Sequence, residues 1–234
     1  MPLPSVAILC GGLATRLRPI TNTLPKALVD VSGRPFIFYQ LDQLKQQGIS
    51  EIVLCVGYLG EMIEEVVGDG RKLDLHIQYS YDGEKYLGTG GALRKALRML
   101  GEEFFILYGD AYLQIDYAAA YKLFKSSSLP GLMSVFHNAG QWDTSNVLYD
   151  GGEILAYSKT NKTPRMRHID YGMGILQTAV LEPYPEGETL DLADVYERLA
   201  QEHGLAAYEA SERFYEIGSH SGLQDFEKWL AEPQ

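Results

Sequence analysis

Several side chains that can bind phosphate groups lie within one short segment near the N-terminus. The apolar run Val6 to Cys10 predicts a buried strand, and Gly11 and Gly12 directly after it let the backbone approach another group closely. A hydroxyl and three cations follow, on Thr15, Arg16, Arg18 and Lys26. Because guanidinium and ammonium groups form strong hydrogen bonds with oxyanions, this segment is predicted to bind a polyphosphate.

Two familiar phosphate-binding patterns do not fit this segment. In the nucleoside-triphosphate P-loop a lysine directly follows the second glycine, whereas here Leu13 follows Gly12 and Lys26 comes much later. The dinucleotide fingerprint needs a third glycine, which positions 11 to 16 lack. A surface turn without a ligand is the remaining alternative, but a turn does not need this concentration of basic residues.

Two later segments could complete such a site. Three glycines surround Thr89 in Leu87-Gly88-Thr89-Gly90-Gly91, before a predicted helix, and either close approach to a flat ligand such as a base or a flexible turn would account for them. The apolar run Phe104 to Tyr108 then brings Asp110 to the end of a strand. A carboxylate there can hold a divalent cation, the alternative being a turn or a helix cap.

The second half of the chain contributes further charged candidates. Lys159, Lys162, Arg165 and Arg167 form a basic cluster, which is either a solvated loop or a site where one lysine contacts an anionic second substrate. Glu216 is a second carboxylate at the end of a predicted strand. Helices are predicted over Thr189 to Gln201 and from Ser219 to about Leu230, with Ser219 as the cap of the second. The remaining acidic and histidine candidates are predicted to be structural: Asp191, Asp194, His168, His203 and His220.

The elements that position these residues alternate along the first part of the chain. Strands are predicted at Val6 to Cys10, Glu51 to Val56 and Leu75 to Tyr79, with amphipathic helices between them, an order that favours a parallel sheet with its ligands at the carboxyl ends of the strands. From about residue 136 the pattern changes to a hairpin turning at Asp150-Gly151-Gly152 and to mixed strands. We expect one domain over residues 1–234, with halves at about 1–135 and 136–234.

Composition limits the classes of partner. The net charge of −11 argues against a general nucleic-acid or membrane surface, so the phosphate-binding cations must be local. Cys10 and Cys55 lie in apolar runs, as expected of buried thiols in a reducing cytosol. No export signal or membrane-spanning run is recognised, and a cytoplasmic protein is predicted.

Together these motifs resemble those of the sugar-1-phosphate nucleotidyltransferases, which have a Rossmann-like α/β fold. The resemblance rests on Leu9 to Leu17 with Pro25-Lys26, on Leu87 to Gly91, on Gly109-Asp110 and on Glu216 to Ser219, in the family's order. It implies a mostly parallel central sheet with helices on both faces and a mixed-strand half for the acceptor sugar. It also implies transfer of a nucleoside monophosphate from an NTP to a sugar 1-phosphate, with release of pyrophosphate.

The resemblance also assigns roles to residues. Arg16, Lys26 and Asp110 are the implied catalytic residues, and Asp110 with Glu216 would hold Mg²⁺. The implied nucleotide contacts are Leu9, Gly11, Gly12, Arg16, Gly88 and Thr89. The implied contacts to the sugar phosphate are Asn146, Lys159 and Gly172. Partners would be an NTP and a sugar 1-phosphate, with homo-oligomerisation left open.

The chain departs from the family pattern at two positions. Glu216 stands where relatives usually have aspartate, and Ser158 stands where a sugar-binding glutamate is common. The printed sequence ends at Gln234, so the β-helix domain of some relatives is not expected. The motifs are most similar to guanylyltransferases for D-glycero-α-D-manno-heptose 1-phosphate, with N-acetylmuramate 1-phosphate uridylyltransferases and glucose 1-phosphate thymidylyltransferases as rivals. A regulatory subunit that binds sugar nucleotides without catalysis is the non-enzyme alternative.

Overall fold

Strands and helices alternate through the first part of the chain, as the apolar runs predicted. The computed structural model describes residues 2–12, 14–138, 140–142 and 144–232. Its strands are β1 Val6–Leu9, β2 Asp30–Val31, β3 Arg34–Pro35, β4 Glu51–Val56, β5 His76–Tyr81, β6 Glu103–Tyr108, β7 Ala111–Tyr112, β8 Gly131–His137, β9 Val147–Asp150, β10 Glu153–Tyr157, β11 His168–Gln177, β12 Leu205–Ala210 and β13 Tyr215–Glu216. Its α-helices are α1 Ile37–Gln46, α2 Gly60–Val67, α3 Gly88–Ala96, α4 Tyr117–Ser127, α5 Leu192–Gln201 and α6 His220–Ala231.

One large mixed sheet forms the centre of the protein. Within the described residues it has nine strands in the order β5-β4-β1-β6-β11-β8-β12-β10-β9. The first four are parallel neighbours, whereas β11 runs antiparallel to both β6 and β8. The predicted α/β fold is therefore confirmed, with parallel strands in the first half and mixed strands in the second.

Helices cover both faces of this sheet because alternate residues of the central strands point to opposite sides. On one face, Val6 and Ile8 of β1 belong to a core with α1, α2 and α4. On the other face, Ala7 packs with α3 and α5. A third, smaller cluster joins α6 to the segment around β2 and β3, with Phe36 and Phe226 fully buried at its centre. These two-sided contacts account for the uninterrupted apolar runs in the sequence.

The glycine-rich segment at residues 88–91 differs from its prediction. It forms the first turn of α3 and is not a loop that precedes the helix. A Cβ atom at Gly88 would lie 2.5 Å from Leu190 O, and one at Gly91 would lie 2.6 Å from Glu188 O. The glycines are therefore required by close packing against residues 188–192, so neither a flexible turn nor the approach of a base is needed to explain them.

Other element boundaries differ only slightly from the predictions. β5 extends to Tyr81, two residues beyond its expected end, and α5 begins at Leu192 after a cap by Asp191. The predicted cap of α6 is confirmed, since Ser219 Oγ accepts the Gly222 amide at 3.1 Å. No helix in the described ranges is long and apolar enough to cross a membrane.

Candidate active site

A cleft at the carboxyl ends of the central strands brings the predicted residues together. A cavity of about 440 Å³ is lined by Leu9, Gly11, Gly12, Arg16, Lys26, Gly88, Thr89, Asp110, Asn146 and Lys159, among others. An adjoining cavity of about 390 Å³ contains the other two predicted residues, Gly172 and Glu216. Arg16, Tyr108, Asp110 and Asp170 line both cavities and mark their junction. Leu13 of the predicted signature lies outside the described residues.

Close backbone contacts explain the glycines on the side of this cleft that is predicted to bind a nucleotide, which we call the nucleotide side. Gly11 follows β1, and a Cβ atom there would lie 3.3 Å from Gly57 N in the turn after β4. Gly109 follows β6, and its Cβ atom would lie 2.5 Å from Leu9 O. The turns after three parallel strands are therefore packed together at one edge of the sheet, as expected of a ligand site in an α/β fold.

Lys26 and Asp110 meet at the junction of the two cavities. Lys26 Nζ donates to Asp110 Oδ2 at 2.7 Å, and the two side chains are only 18% and 28% exposed. Gln40, buried on α1, fixes the same segment because its Nε2 donates to Tyr108 O at 3.0 Å and Ala111 O at 2.7 Å. Gln40 was not among the predicted site residues, since its sequence position suggests only an amphipathic helix.

Glu216 is held beside Asp110 by main-chain pairing. β13 pairs with β7, which places Glu216 opposite Ala111, and the Ile217 amide donates to Asp110 O at 2.9 Å. A Cβ atom at Gly218 would touch Glu216 Oε2 and lie 3.3 Å from Asp110 Oδ2, so both carboxylates border the same small space. Arg16 Nη2 lies 3.9 Å from Glu216 Oε2, with the Arg16 side chain 69% exposed.

These two carboxylates suit a hard cation that also binds substrate oxygens. No cluster of three or more Asp, Glu, His or Cys side chains able to hold a metal occurs among residues 2–12, 14–138, 140–142 and 144–232. Mg²⁺ does not need one, because it is usually bound through one or two carboxylates, waters and substrate phosphates. The donors at this junction therefore fit the predicted cation.

Thr89 and Lys159 are joined through Asp191. Asp191 Oδ1 accepts Thr89 Oγ1 at 3.1 Å, and Lys159 Nζ lies 2.9 Å from both carboxylate oxygens. Burial raises the pKa of Asp191, but the Ala193 amide and Lys159 outweigh it and hold this pKa below its usual value. Asp191 was predicted to be purely structural. It does cap α5, and it also links the nucleotide side of the cleft to the predicted sugar-phosphate lysine.

The rest of the predicted basic cluster lies away from the cleft. Lys162 and Arg167 line a separate, wider surface depression of about 850 Å³, and Arg165 lines neither cavity of the cleft. Ser158 is buried, and its hydroxyl accepts the Asn161 amide at 3.0 Å. In this segment Lys159 is therefore the basic residue that faces the cleft.

Two acidic residues of the cleft were not predicted. Asp170 on β11 lies at the junction of the cavities, and burial raises its pKa to about 6 against the hydrogen bonds from Gly172 and Tyr108. Asn146 orients this residue, because its Oδ1 accepts the Asp170 amide at 3.1 Å.

Asp82 is buried on the nucleotide side, where burial also raises its pKa. The sequence does contain a signal for Asp170, because an aspartate inside an otherwise apolar strand is unusual.

The fold and the cleft together define an α/β protein with a ligand site at the edge of a parallel sheet. The sequence model of the nucleotidyl transferase family matches residues 5–144. This chain therefore belongs to the nucleotidyl transferase family and is a transferase.

Individual relatives differ in their substrates. An N-acetylmuramate α-1-phosphate uridylyltransferase from Neisseria meningitidis serogroup B is 30% identical over 93% of this chain and 94% of its own length. A D-glycero-α-D-manno-heptose 1-phosphate guanylyltransferase from Campylobacter jejuni is 41% identical, but over only 47% of this chain and 48% of its own. The crystal structure of HddC from Yersinia pseudotuberculosis, complexed with GMP-PN, shares the fold with a TM-score of 0.80 at 24% identity, covering 97% of this chain and 100% of that one.

Proposed function

We propose that this protein transfers a nucleoside monophosphate from an NTP to a sugar 1-phosphate and releases pyrophosphate. The observation that carries the proposal is the Lys26–Asp110 pair at the point where the two cavities meet. A nucleotide on the glycine side and a sugar phosphate on the Lys159 side would bring their phosphates together there. The family membership supports the same class of reaction.

The chemistry suits the residues in this cleft. A phosphate oxygen of the sugar 1-phosphate forms a bond to the α-phosphorus of the NTP, and the bond from that phosphorus to the pyrophosphate oxygen breaks. The attacking oxygen is already anionic, so no general base has to remove a proton. Catalysis then depends on alignment and charge neutralisation, which Arg16 and Lys26 would supply.

A divalent cation would complete this charge neutralisation. Nucleotidyltransferases generally use one, and Asp110 and Glu216 are the residues that would hold Mg²⁺ here. When bound, the cation would neutralise phosphate charge and fix the phosphate oxygens in place. Lys26 would keep Asp110 oriented while donating to the reacting phosphates.

The donor and acceptor roles are proposed for residues that line the two cavities. Leu9, Gly11, Gly12, Gly88 and Thr89 would contact the nucleotide, with Arg16 on its triphosphate. Lys159 would pair with the phosphate of the sugar, and Asn146 and Gly172 would border the sugar ring. An inactive regulatory subunit is disfavoured because Arg16, Lys26 and Asp110 are all present and converge on one site.

Our first candidate for the substrates is GTP with D-glycero-α-D-manno-heptose 1-phosphate. The 41% identity to the Campylobacter guanylyltransferase and the guanine nucleotide bound to the Yersinia protein favour it. The second candidate is UTP with N-acetylmuramate 1-phosphate, favoured by the match along nearly the whole Neisseria enzyme. TTP with glucose 1-phosphate is the third. The reaction would take place in the cytoplasm, where NTPs are available.

A matrix of NTPs against sugar 1-phosphates, scored for pyrophosphate release with Mg²⁺ present, tests the proposal. We expect the highest kcat/KM for GTP with the heptose 1-phosphate and pyrophosphate release only when both substrates are present. Preference for UTP with N-acetylmuramate 1-phosphate would replace the first candidate by the second. Absence of pyrophosphate from every combination would contradict the transferase itself.

A further inference from the structure

The acceptor side of the cleft contains a carboxylate that is paired only with neutral groups. Asp170 Oδ2 accepts the Tyr108 hydroxyl at 3.0 Å, and Oδ1 accepts the Gly172 amide at 3.0 Å. Lys159 acts on Asp170 electrostatically, but its ammonium group is bonded to Asp191. Within the described parts of the chain, no ion pair joins Asp170 to a cation at 4.0 Å or less.

The other carboxylates around the adjoining cavity each face a cation. Asp110 pairs with Lys26 at 2.7 Å, and Asp225 pairs with Arg213 at 2.8 Å. Glu216 lies 3.9 Å from Arg16. A carboxylate can accept about four hydrogen bonds, and Asp170 accepts two here. It therefore keeps acceptor capacity at the junction of the cavities, where a sugar next to its reacting phosphate would lie.

We propose that Asp170 determines which acceptor sugars are used, a proposal that rests on the function proposed above. Its carboxylate accepts a hydrogen bond from a hydroxyl group of the sugar and disfavours a sugar that carries a second anionic group. A half-buried carboxylate gains more from a hydrogen-bond donor, and loses more beside another anion, than a fully solvated one does, since both effects strengthen where water is partly excluded. The acceptor class is then a neutral, polyhydroxylated sugar whose phosphate is its only anion.

The surroundings of Asp170 fit a rigid specificity residue. Asn146 holds its backbone amide, and Asp170 itself pairs with Val135 of β8, while β11 pairs with β6 from Met173 onward. Ser158, on the neighbouring segment, uses its hydroxyl within its own turn. Of the two, Asp170 is thus the side chain available to recognise a sugar hydroxyl.

Asp170→Asn tests this role, because asparagine has the same shape and can still accept the Gly172 amide. We expect D170N to bind D-glycero-α-D-manno-heptose 1-phosphate about 10- to 100-fold more weakly by calorimetry, the scale for losing a hydrogen bond to a charged group. Its Kd for GTP should stay unchanged, and its Kd for N-acetylmuramate 1-phosphate should fall. Asp116→Asn is the matched control, since Asp116 caps α4 outside the cleft and asparagine caps helices equally well.

Monodeoxy analogues of the heptose 1-phosphate identify the hydroxyl group concerned. One analogue should bind the unmodified protein as weakly as the parent sugar binds D170N, and D170N should not distinguish that analogue from the parent. Unchanged sugar affinity in D170N, or an equal loss of affinity for GTP, would overturn the proposal. The proposed transferase activity is judged separately, by pyrophosphate release from the unmodified protein, so either proposal can fail without the other.

Discussion

Lys26 Nζ and Asp110 Oδ2 lie 2.7 Å apart although 84 residues separate them in the chain. The contact joins the turn that begins at Lys26 to the end of β6, next to the segment that Gln40 fixes. An ammonium group held in this way is preorganised, so in the proposed reaction it would not have to be ordered when the phosphates bind.

Lys26→Ala should lower kcat by roughly 10²- to 10³-fold, the scale for losing one group that stabilises a transition state. Lys45→Ala is a suitable control, because Lys45 forms a Lys–Asp pair of similar length, 2.8 Å to Asp74, far from the cleft. Steady-state pyrophosphate release measures both variants. Normal turnover in K26A would remove Lys26 from the mechanism.

Glu216→Gln should raise the Mg²⁺ concentration needed for half-maximal activity by at least about 10-fold, because it removes one of two anionic ligands. Glu216→Asp should be affected less, since it keeps the charge. A Mg²⁺ titration at saturating substrates compares the two. If E216Q needs no more Mg²⁺ than the unmodified protein, Glu216 does not hold the cation.

Lys159→Ala should raise the KM for the sugar 1-phosphate about 10-fold or more while changing the KM for the NTP little, since a charge-assisted hydrogen bond to that phosphate is lost. Lys162→Ala is the matched control, because Lys162 belongs to the same basic segment but lines neither cavity of the cleft. Similar effects of the two substitutions would point to the net charge of the loop instead of a specific contact.

Gly91→Ala should lower the free energy of unfolding by roughly 1–3 kcal/mol, because the added methyl group would overlap Glu188 O and force α3 away from its neighbour. Gly101→Ala should be nearly neutral, since a Cβ atom there would have its nearest neighbour at 3.7 Å. Urea unfolding curves test the pair. Equal stability of the two variants would show that α3 can move without cost.

Asp170 should make stability depend on pH. Burial raises its folded-state pKa to about 6, so its contribution to stability is greatest below its ordinary pKa and is lost as the pH rises through 6. The substitution D170N removes this loss. The free energy of unfolding of D170N minus that of the unmodified protein should therefore be roughly 1–2 kcal/mol larger at pH 8 than at pH 4. Urea unfolding at both pH values measures this difference. If the difference in stability between the two proteins is the same at pH 4 and pH 8, Asp170 does not titrate in this range.

The elements that the sequence predicted well are those whose signal is local. β4 was predicted with its observed ends because an apolar run is bounded by polar and glycine residues, and Ser219 was predicted as a cap from its position before a helix. Leu9, Gly11 and Asp110 lie at one edge for the same reason, since parallel strands bring their carboxyl ends together.

What the sequence did not reveal depends on contacts between distant segments. The need for glycine at position 91 comes from Glu188, and the role of Asp191 in holding Lys159 comes from a contact across 32 residues. The residues next to Asp170 in β11 are apolar, so the sequence predicts a core strand there. The cavity that Asp170 lines forms only because β11 pairs with β6. The hydrophobic pattern of the sequence does not predict these long-range contacts.

The central position of β11 also limits how the protein can move. Because this strand is hydrogen-bonded to β6 on one edge and β8 on the other, the two predicted halves of the chain share one sheet. A hinge motion that separates the two halves would break the hydrogen bonds between β11 and its neighbouring strands. Entry of substrate and exit of product must therefore be carried by the turns along the sheet edge, and backbone amides of β11 should be among the slowest to exchange with deuterium.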